Sequence, residues 1–259
     1  MKNVVLTGIG GQGTVLAAKI LAQAAQARGW HVRTAETIGM AQRGGSVVSH
    51  VRMGDAGEQV ASPLVPQTQA DMLIAFEPGE GARMRDILKH EGVMVTASRA
   101  VQPVTASLSK ESYEAAPVLD ALCAMALNTT AVSGIKKGIQ VDGATNEPKG
   151  MQQEAYDFEA GSMKLNNSAW MLSDTEPASN GASSAKPIGS LYVVDEMPIL
   201  DAIGNTKVLN IVLLTVAVQT GVLGITAQEF KEAVTACVKP RFCEMNLAAV
   251  DTVCTLMAC

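Results

Sequence analysis

Short apolar runs alternate with stretches of helical hydrophobic spacing over the first hundred positions. Residues 4–7 form one such run and predict a strand. From residue 14 to 26, Val15, Ala18, Leu21, Ala22 and Ala25 recur at three- and four-residue intervals, which predicts a helix. Residues 31–35, the valine-rich 46–53, 72–76 and 92–96 predict further strands, with a helix around 80–89 between the last two. Strands separated by helices pair in parallel through crossovers. The expected fold is therefore α/β, a Rossmann-like, mostly parallel sheet flanked by helices.

The pattern fails between about 106 and 187. This stretch holds ten acidic and six basic residues, no Arg and no His, and so carries −4 of the total −5. Its second half is rich in Gly, Ser, Asn, Thr and Pro, a composition that buries too little apolar surface to offset its ordering entropy. It is expected to be a partly mobile polar insertion, with one helix near 111–126, dividing a domain made of 1–105 and 188–259. Regular structure returns at 191–194, a strand ending at Asp195. Residues 207–223 predict an apolar helix. Thr226-Ala227-Gln228-Glu229 fits a capping box that opens another, and Lys239-Pro240 separates it from a last helix over 241–257. There is no internal repeat.

Of the 259 residues 47% are apolar but 3% aromatic, so the core must rest on aliphatic side chains and Met. A net charge of −5 argues against binding duplex nucleic acid, which demands phosphate neutralisation. The five cysteines form no C-x-x-C pair, so neither a zinc nor a local iron–sulfur motif is visible. Their odd number, with no basic region ahead of an apolar one at the N-terminus, suggests a reduced, cytoplasmic chain. The most apolar run, 208–225, contains Asn210, Gln219 and two glycines, and reads as a buried helix rather than a membrane span.

Gly8-Ile9-Gly10-Gly11-Gln12-Gly13 matches G-x-G-x-x-G between a strand and a helix. In that setting Gly8 permits a tight turn, Gly10 lets a phosphate reach the backbone, and Gly13 lets helix and strand pack closely. Free amides at the helix N-terminus attract an anion, and Thr14 could add a hydroxyl. The alternative is a tight turn with no ligand. Glu36 stands near where a dinucleotide fold places its ribose-binding acid, but Thr37-Ile38-Gly39-Met40 does not resemble a simple strand-to-helix connection, which weakens a nicotinamide-dinucleotide reading.

A second cluster, Gly39-Met40-Ala41-Gln42-Arg43-Gly44-Gly45-Ser46, leads into the next strand. Arg43 beside two glycines suits a carboxylate or phosphate, because its planar fork offers paired donors. The alternatives are a solvated Arg or a pair with Glu36. His50, alternating with valines, reads as a structural histidine. Glu77, in a loop at a strand end, is a candidate contact and otherwise an exposed loop acid. No local catalytic set emerges, and no G-x-S-x-G or H-E-x-x-H is present.

Taken together, the first glycine motif and the run from Gly39 through Ser46-Val47-Val48-Ser49-His50-Val51-Arg52 resemble the beta subunit of indolepyruvate:ferredoxin oxidoreductases, equivalent to the gamma subunit of related 2-oxoacid:ferredoxin oxidoreductases. Ser62-Pro63-Leu64, Ala70-Asp71 ahead of a strand, Ala75-Phe76-Glu77-Pro78, the run from Gly204-Asn205 to Asn210, Pro240-Arg241-Phe242 and Glu244-Met245-Asn246 agree with that resemblance, which covers about 1–105 and 188–259. It implies a chain without cofactors of its own, inactive alone. A large partner subunit would carry thiamine diphosphate, magnesium and iron–sulfur clusters. The complex would decarboxylate a 2-oxoacid, reduce ferredoxin and form an acyl-coenzyme A. Coenzyme A would be shared at Gly8, Gly10, Gly11, Gln12, Gly13, Thr14, Gln42, Arg43, Gly44, Gly45 and Ser46, with neither nucleic acid nor membrane as partner. The remaining alternatives are a free-standing NAD(P) enzyme and a non-catalytic anion-binding module.

Overall fold

Val4, Val5 and Leu6 are fully buried in succession, so the strand that carries them is covered on both faces. This is how a central parallel strand reads in sequence. The computed structural model describes residues 1–38, 45–101, 113–133, 140–142 and 188–258. It builds an eight-stranded sheet from β1 (Lys2–Ile9), β2 (His31–Ile38), β3 (Ser46–Gly54), β4 (Ala70–Ala75), β5 (Leu88–Ala97), β6 (Ala126–Ser133), β7 (Gln140–Asp142) and β8 (Ile188–Asp195), in the order β2-β3-β1-β4-β5-β8-β6-β7. The strands β1, β4, β5, β8 and β6 run parallel.

Two features depart from the expectation of parallel pairing throughout. β3 runs antiparallel to both β1 and β2 and separates them. The connection between β2 and β3 is too short for a crossover helix, which takes a dozen or more residues, so the chain must turn back. β6 also falls inside the stretch read as an insertion, as does a helix, α3 (Ala116–Ala124). α3 buries Val118 and Leu122 against Ile87, Leu88 and Met94, and β6 is paired along its length with β8. Residues 113–133 therefore belong to the main fold, while 134–139 and 143–187 lie outside the described residues. The described residues form one packed unit.

Helices cover both faces. On one face α1 (Thr14–Ala27), α4 (Glu196–Ile203), α5 (Leu209–Gln219), α6 (Ala227–Cys237) and α7 (Pro240–Ala258) pack on Val4, Leu6, Met72, Ile74 and Val95. On the other, α2 (Pro78–Met84) and α3 cover Val5, Leu73, Met94 and Leu191. Every residue of α5 from Asn210 to Val218 is buried, which explains why its sequence is apolar on all sides. Among the described residues no helix is long and apolar enough to cross a membrane.

The capping box at the start of α6 is present: Glu229 N–H donates to Thr226 Oγ1 at 3.2 Å, and Thr226 N–H donates to Glu229 Oε2 at 2.8 Å. Phe230 is fully buried between α6 and the rest of the helical layer, so Phe230→Ala should lower the free energy of unfolding by about 3–5 kcal/mol. Thr226→Ala should cost about 1 kcal/mol. Urea unfolding of both variants checks the pair; equal losses would contradict this packing.

Candidate functional site

α1 leaves β1 over one face of the sheet, and α2 leaves the neighbouring β4 over the other. The carboxyl ends of β1 and β4 therefore flank a topological switch point, where open α/β sheets form a ligand crevice. The first glycine motif lies there.

Its glycines divide the work differently from the sequence expectation. Gly8 is still in β1, and a β-carbon on it would stand 2.7 Å from Gln12 Oε1 and 2.9 Å from Phe76 Cβ. The turn is made by Gly11, at φ +104°, and Gly13, at φ +83°. Gly10, expected to leave its amide open to a phosphate, donates that N–H to the Gly45 carbonyl at 2.9 Å. Gln12 folds back over the strand ends: its Oε1 accepts from Ile9 N–H at 2.7 Å and its Nε2 donates to the Phe76 carbonyl at 2.9 Å. Its amide thus ties β1 to β4 across the crevice.

What stays open is the start of α1. Gly13 is the N-cap, with no side-chain cap. The amides of Gly11 and Gly13 make no hydrogen bond among the described residues, and the first amides of α1 lack intrahelical partners as in any helix. Thr14 is buried, and its hydroxyl makes no hydrogen bond among the described residues. Against this turn sits Asn210, in the first turn of α5. A β-carbon on Gly13 would lie 2.9 Å from Asn210 Nδ2. Asn210 is 6% exposed; its Oδ1 accepts from Ile211 N–H at 3.0 Å, and its Nδ2 has no partner among the described residues. Two helix N-termini and one unpaired amide thus converge on Gly13, a setting that favours an anion. Sequence reasoning missed Asn210 in this role. Its signal was a polar residue inside the most apolar run of the chain.

The last two residues of the second glycine cluster, Gly45 and Ser46, reach the same place. Gly45 meets Gly10, while Ser46 Oγ donates to Glu80 Oε2 at 2.6 Å and accepts from Arg83 Nη2 at 2.5 Å. Gln42, Arg43 and Gly44 lie outside the described residues. Glu77 is not the exposed acid that its loop suggested. It is 2% exposed and caps α2, its Oε2 accepting from Glu80 N–H at 2.8 Å and its Oε1 from the Tyr113 hydroxyl at 2.6 Å. Burial, and next the facing Glu77 carboxylate, push the Tyr113 hydroxyl well above the usual tyrosine range, so it stays a donor. Further along the carboxyl edge, Glu196 is 3% exposed and accepts from both the amide and the hydroxyl of Ser98. Among the described residues no group of three or more His, Cys, Asp or Glu could hold a metal ion.

Glu36 is exposed on β2, and β3 lies between β2 and β1. Two strand spacings of about 4.8 Å each put it roughly 10 Å across the sheet from the glycine loop. In a dinucleotide fold the acid-bearing strand adjoins the first, so this sheet does not bring Glu36 to the loop.

The model of the pyruvate ferredoxin/flavodoxin oxidoreductase family matches residues 3–255. The chain belongs to this family. Among its relatives, the indolepyruvate oxidoreductase subunit IorB of Thermococcus kodakarensis is 42% identical over 118 residues, which is 46% of this chain and 55% of the relative. IorB of Pyrococcus horikoshii is 42% identical over 111 residues, 43% of this chain and 54% of the relative. The chain spans about half the length of the curated relatives it matches. Among solved structures it is similar to the gamma subunit of a keto/oxoacid ferredoxin oxidoreductase from Geobacter sulfurreducens, with a TM-score of 0.54 at 19% identity, covering 100% of this chain and 99% of that one. It is also similar to the 2-oxoglutarate:ferredoxin oxidoreductase of Magnetococcus marinus, solved with 2-oxoglutarate, coenzyme A and succinyl-CoA bound. There the TM-score is 0.55 at 15% identity, over 99% of this chain and 31% of that one. At such identities these likenesses establish the shared fold, α/β with a mostly parallel sheet.

Within this family fold, His50 is structural. It is 8% exposed, and its Nδ1 accepts from Val65 N–H at 3.3 Å. Burial holds its pKa below the usual 6.5. The unfolded chain therefore binds a proton more readily than the native one, and stability rises with pH where that difference operates. The contribution is fully present above pH 6.5 and is lost as the pH falls through that value towards the lower native one. Urea midpoints of the native chain should fall on acidification, and those of His50→Gln should fall less; parallel profiles would rule the assignment out. Gln12→Leu leaves Ile9 N–H and the Phe76 carbonyl unpaired and should cost about 2 kcal/mol, read from the same unfolding curves.

Proposed function

We propose that this chain is the non-cofactor-bearing subunit of a 2-oxoacid:ferredoxin oxidoreductase. A large partner subunit carries thiamine diphosphate with its magnesium ion and the iron–sulfur clusters. The IorB relatives favour indolepyruvate or another aryl pyruvate as the substrate. In the complex the 2-oxoacid is oxidatively decarboxylated, its electrons pass to ferredoxin, and the acyl group passes to coenzyme A. The chain works in the cytoplasm and needs neither nucleic acid nor membrane.

Within that complex the Gly13 corner is the contact for a phosphate of coenzyme A. The observation that carries this reading is the unpaired Nδ2 of Asn210, a residue nine-tenths buried and held over Gly13 between two helix N-termini. An anion there accepts from Gly11, Gly13 and Asn210, with Thr14 in reach of the same turn. Gly8, Gly10, Gln12, Gly45 and Ser46 act as its frame, because their polar groups are committed to one another or to the strand ends. Arg43, flanked by Gln42 and Gly44, adds a cation from the loop ahead of Gly45.

Co-expression with a large thiamine-dependent iron–sulfur subunit tests both parts. The two chains should co-purify and reduce ferredoxin with indolepyruvate and coenzyme A. Asn210→Leu removes one donor to the anion and should raise KM for coenzyme A by about fivefold to tenfold, with KM for the 2-oxoacid within about twofold. A chain that purifies without such a partner sinks the subunit assignment. An unchanged KM for coenzyme A sinks the phosphate contact.

A further inference from the structure

We infer that Glu80 is a positioning residue for the glycine loop, acting through Ser46 and Gly45; the functional half of this inference rests on the anion contact proposed above. Glu80 lies on α2, on the opposite face of the sheet from α1, and its side chain is 16% exposed. One oxygen, Oε2, gathers three elements. It accepts from Ser46 Oγ of β3 at 2.6 Å, from Thr7 Oγ1 of β1 at 3.3 Å, and from Arg83 of α2 through Nε at 3.1 Å and Nη2 at 2.5 Å. Arg83 Nη2 also donates to Ser46 Oγ at 2.5 Å, closing a triangle.

The place of Ser46 gives this triangle its reach. It is the first residue of β3, where a strand has few ladder bonds to hold it. Gly45, next to it, offers the carbonyl that fixes Gly10 N–H at 2.9 Å. The order of contact is Glu80 to Ser46, Ser46 by peptide linkage to Gly45, and Gly45 to Gly10. Gly11 and Gly13, whose amides face the proposed anion, follow directly. Two hydroxyl donors and a guanidinium converging on one oxygen call for an anion, since charge-assisted bonds of this kind are about twice as strong as neutral ones. A surface ion pair with Arg83 alone would need neither Ser46 nor Thr7.

Two measurements on the isolated full chain test this with Glu80→Gln, which keeps the side chain's shape. The first is amide hydrogen exchange. Peptides covering residues 8–13 should exchange about fivefold faster than in the native chain, while peptides from α7 exchange as before. Equal exchange across residues 8–13 overturns the inference. The second is calorimetric binding of coenzyme A, where the sign decides. Removing a carboxylate near an anion would, by charge alone, tighten binding. Positioning predicts binding weakened by about fivefold or more; equal or tighter binding overturns it. Failure of the native chain to bind coenzyme A would count against the anion contact itself. The exchange result would still decide whether Glu80 positions the loop.

Discussion

The missing β-carbon at Gly13 is the constraint on which the rest of the site depends. A side chain there would have to occupy the space of the Asn210 amide while holding a left-handed backbone, φ +83°. With hydrogen in its place, the start of α1 lies directly against the first turn of α5. α5 can come so close because it is buried on all sides and held by the helical layer around it. A helix that is apolar all round thus fixes a polar corner: its packing decides where Asn210 points, and the turn at Gly11 and Gly13 decides what Asn210 faces.

Around this corner, acidic side chains are used for construction. Glu77, Glu80 and Glu196 stand along the carboxyl edge of the sheet; Glu77 and Glu80 receive donors from separate parts of the chain, and Glu196 takes both the amide and the hydroxyl of Ser98. A carboxylate buried without such donors would be costly enough to change its protonation state. Here the donors are backbone amides, hydroxyls and one arginine, so the acids join strand ends to helix starts. Gln12 does the same without charge between β1 and β4. The edge is therefore rigid and largely satisfied, and the free amides of the α1 turn stand out against it.

Much of this was legible locally. β1, the glycine motif and α1 follow from an apolar run, the glycines and helical spacing; the Thr226–Glu229 box is present as its four residues suggest. The apolar run at 208–225 holds the buried helix α5 over Leu209–Gln219 and then turns at Gly221 and Gly224. Direction was harder. β3 looked like any valine-rich strand, and its antiparallel course follows from the shortness of the link to β2 rather than from its own residues. β6, with Asn128, Thr129 and Thr130, was hidden by polarity, because backbone bonds to β8 hold it where side-chain burial is slight. α4, directly after Asp195, was not anticipated. The burial of Glu77 is not legible locally, because its partner Tyr113 lies 36 residues away. The roles of Glu80 and Asn210 depend on distant residues in the same way: Asn210 stands out as a polar residue in an apolar run, but what it faces, like what Glu80 gathers, comes from residues far off in sequence, which periodicity and spacing cannot report.

Among the described residues the pair β2 and β3 leaves β2 as the last strand on its side of the sheet, eight residues long with one row of backbone groups unpaired by that sheet. A row of that length is a template for another chain, and proteins blunt such rows with charge. Arg33 and Glu36 are exposed along it. Glu36, a candidate for gripping a ribose in the sequence, thereby gains a different setting: it is one of two exposed charges on the border strand of the sheet, of the kind that discourages pairing with a further strand.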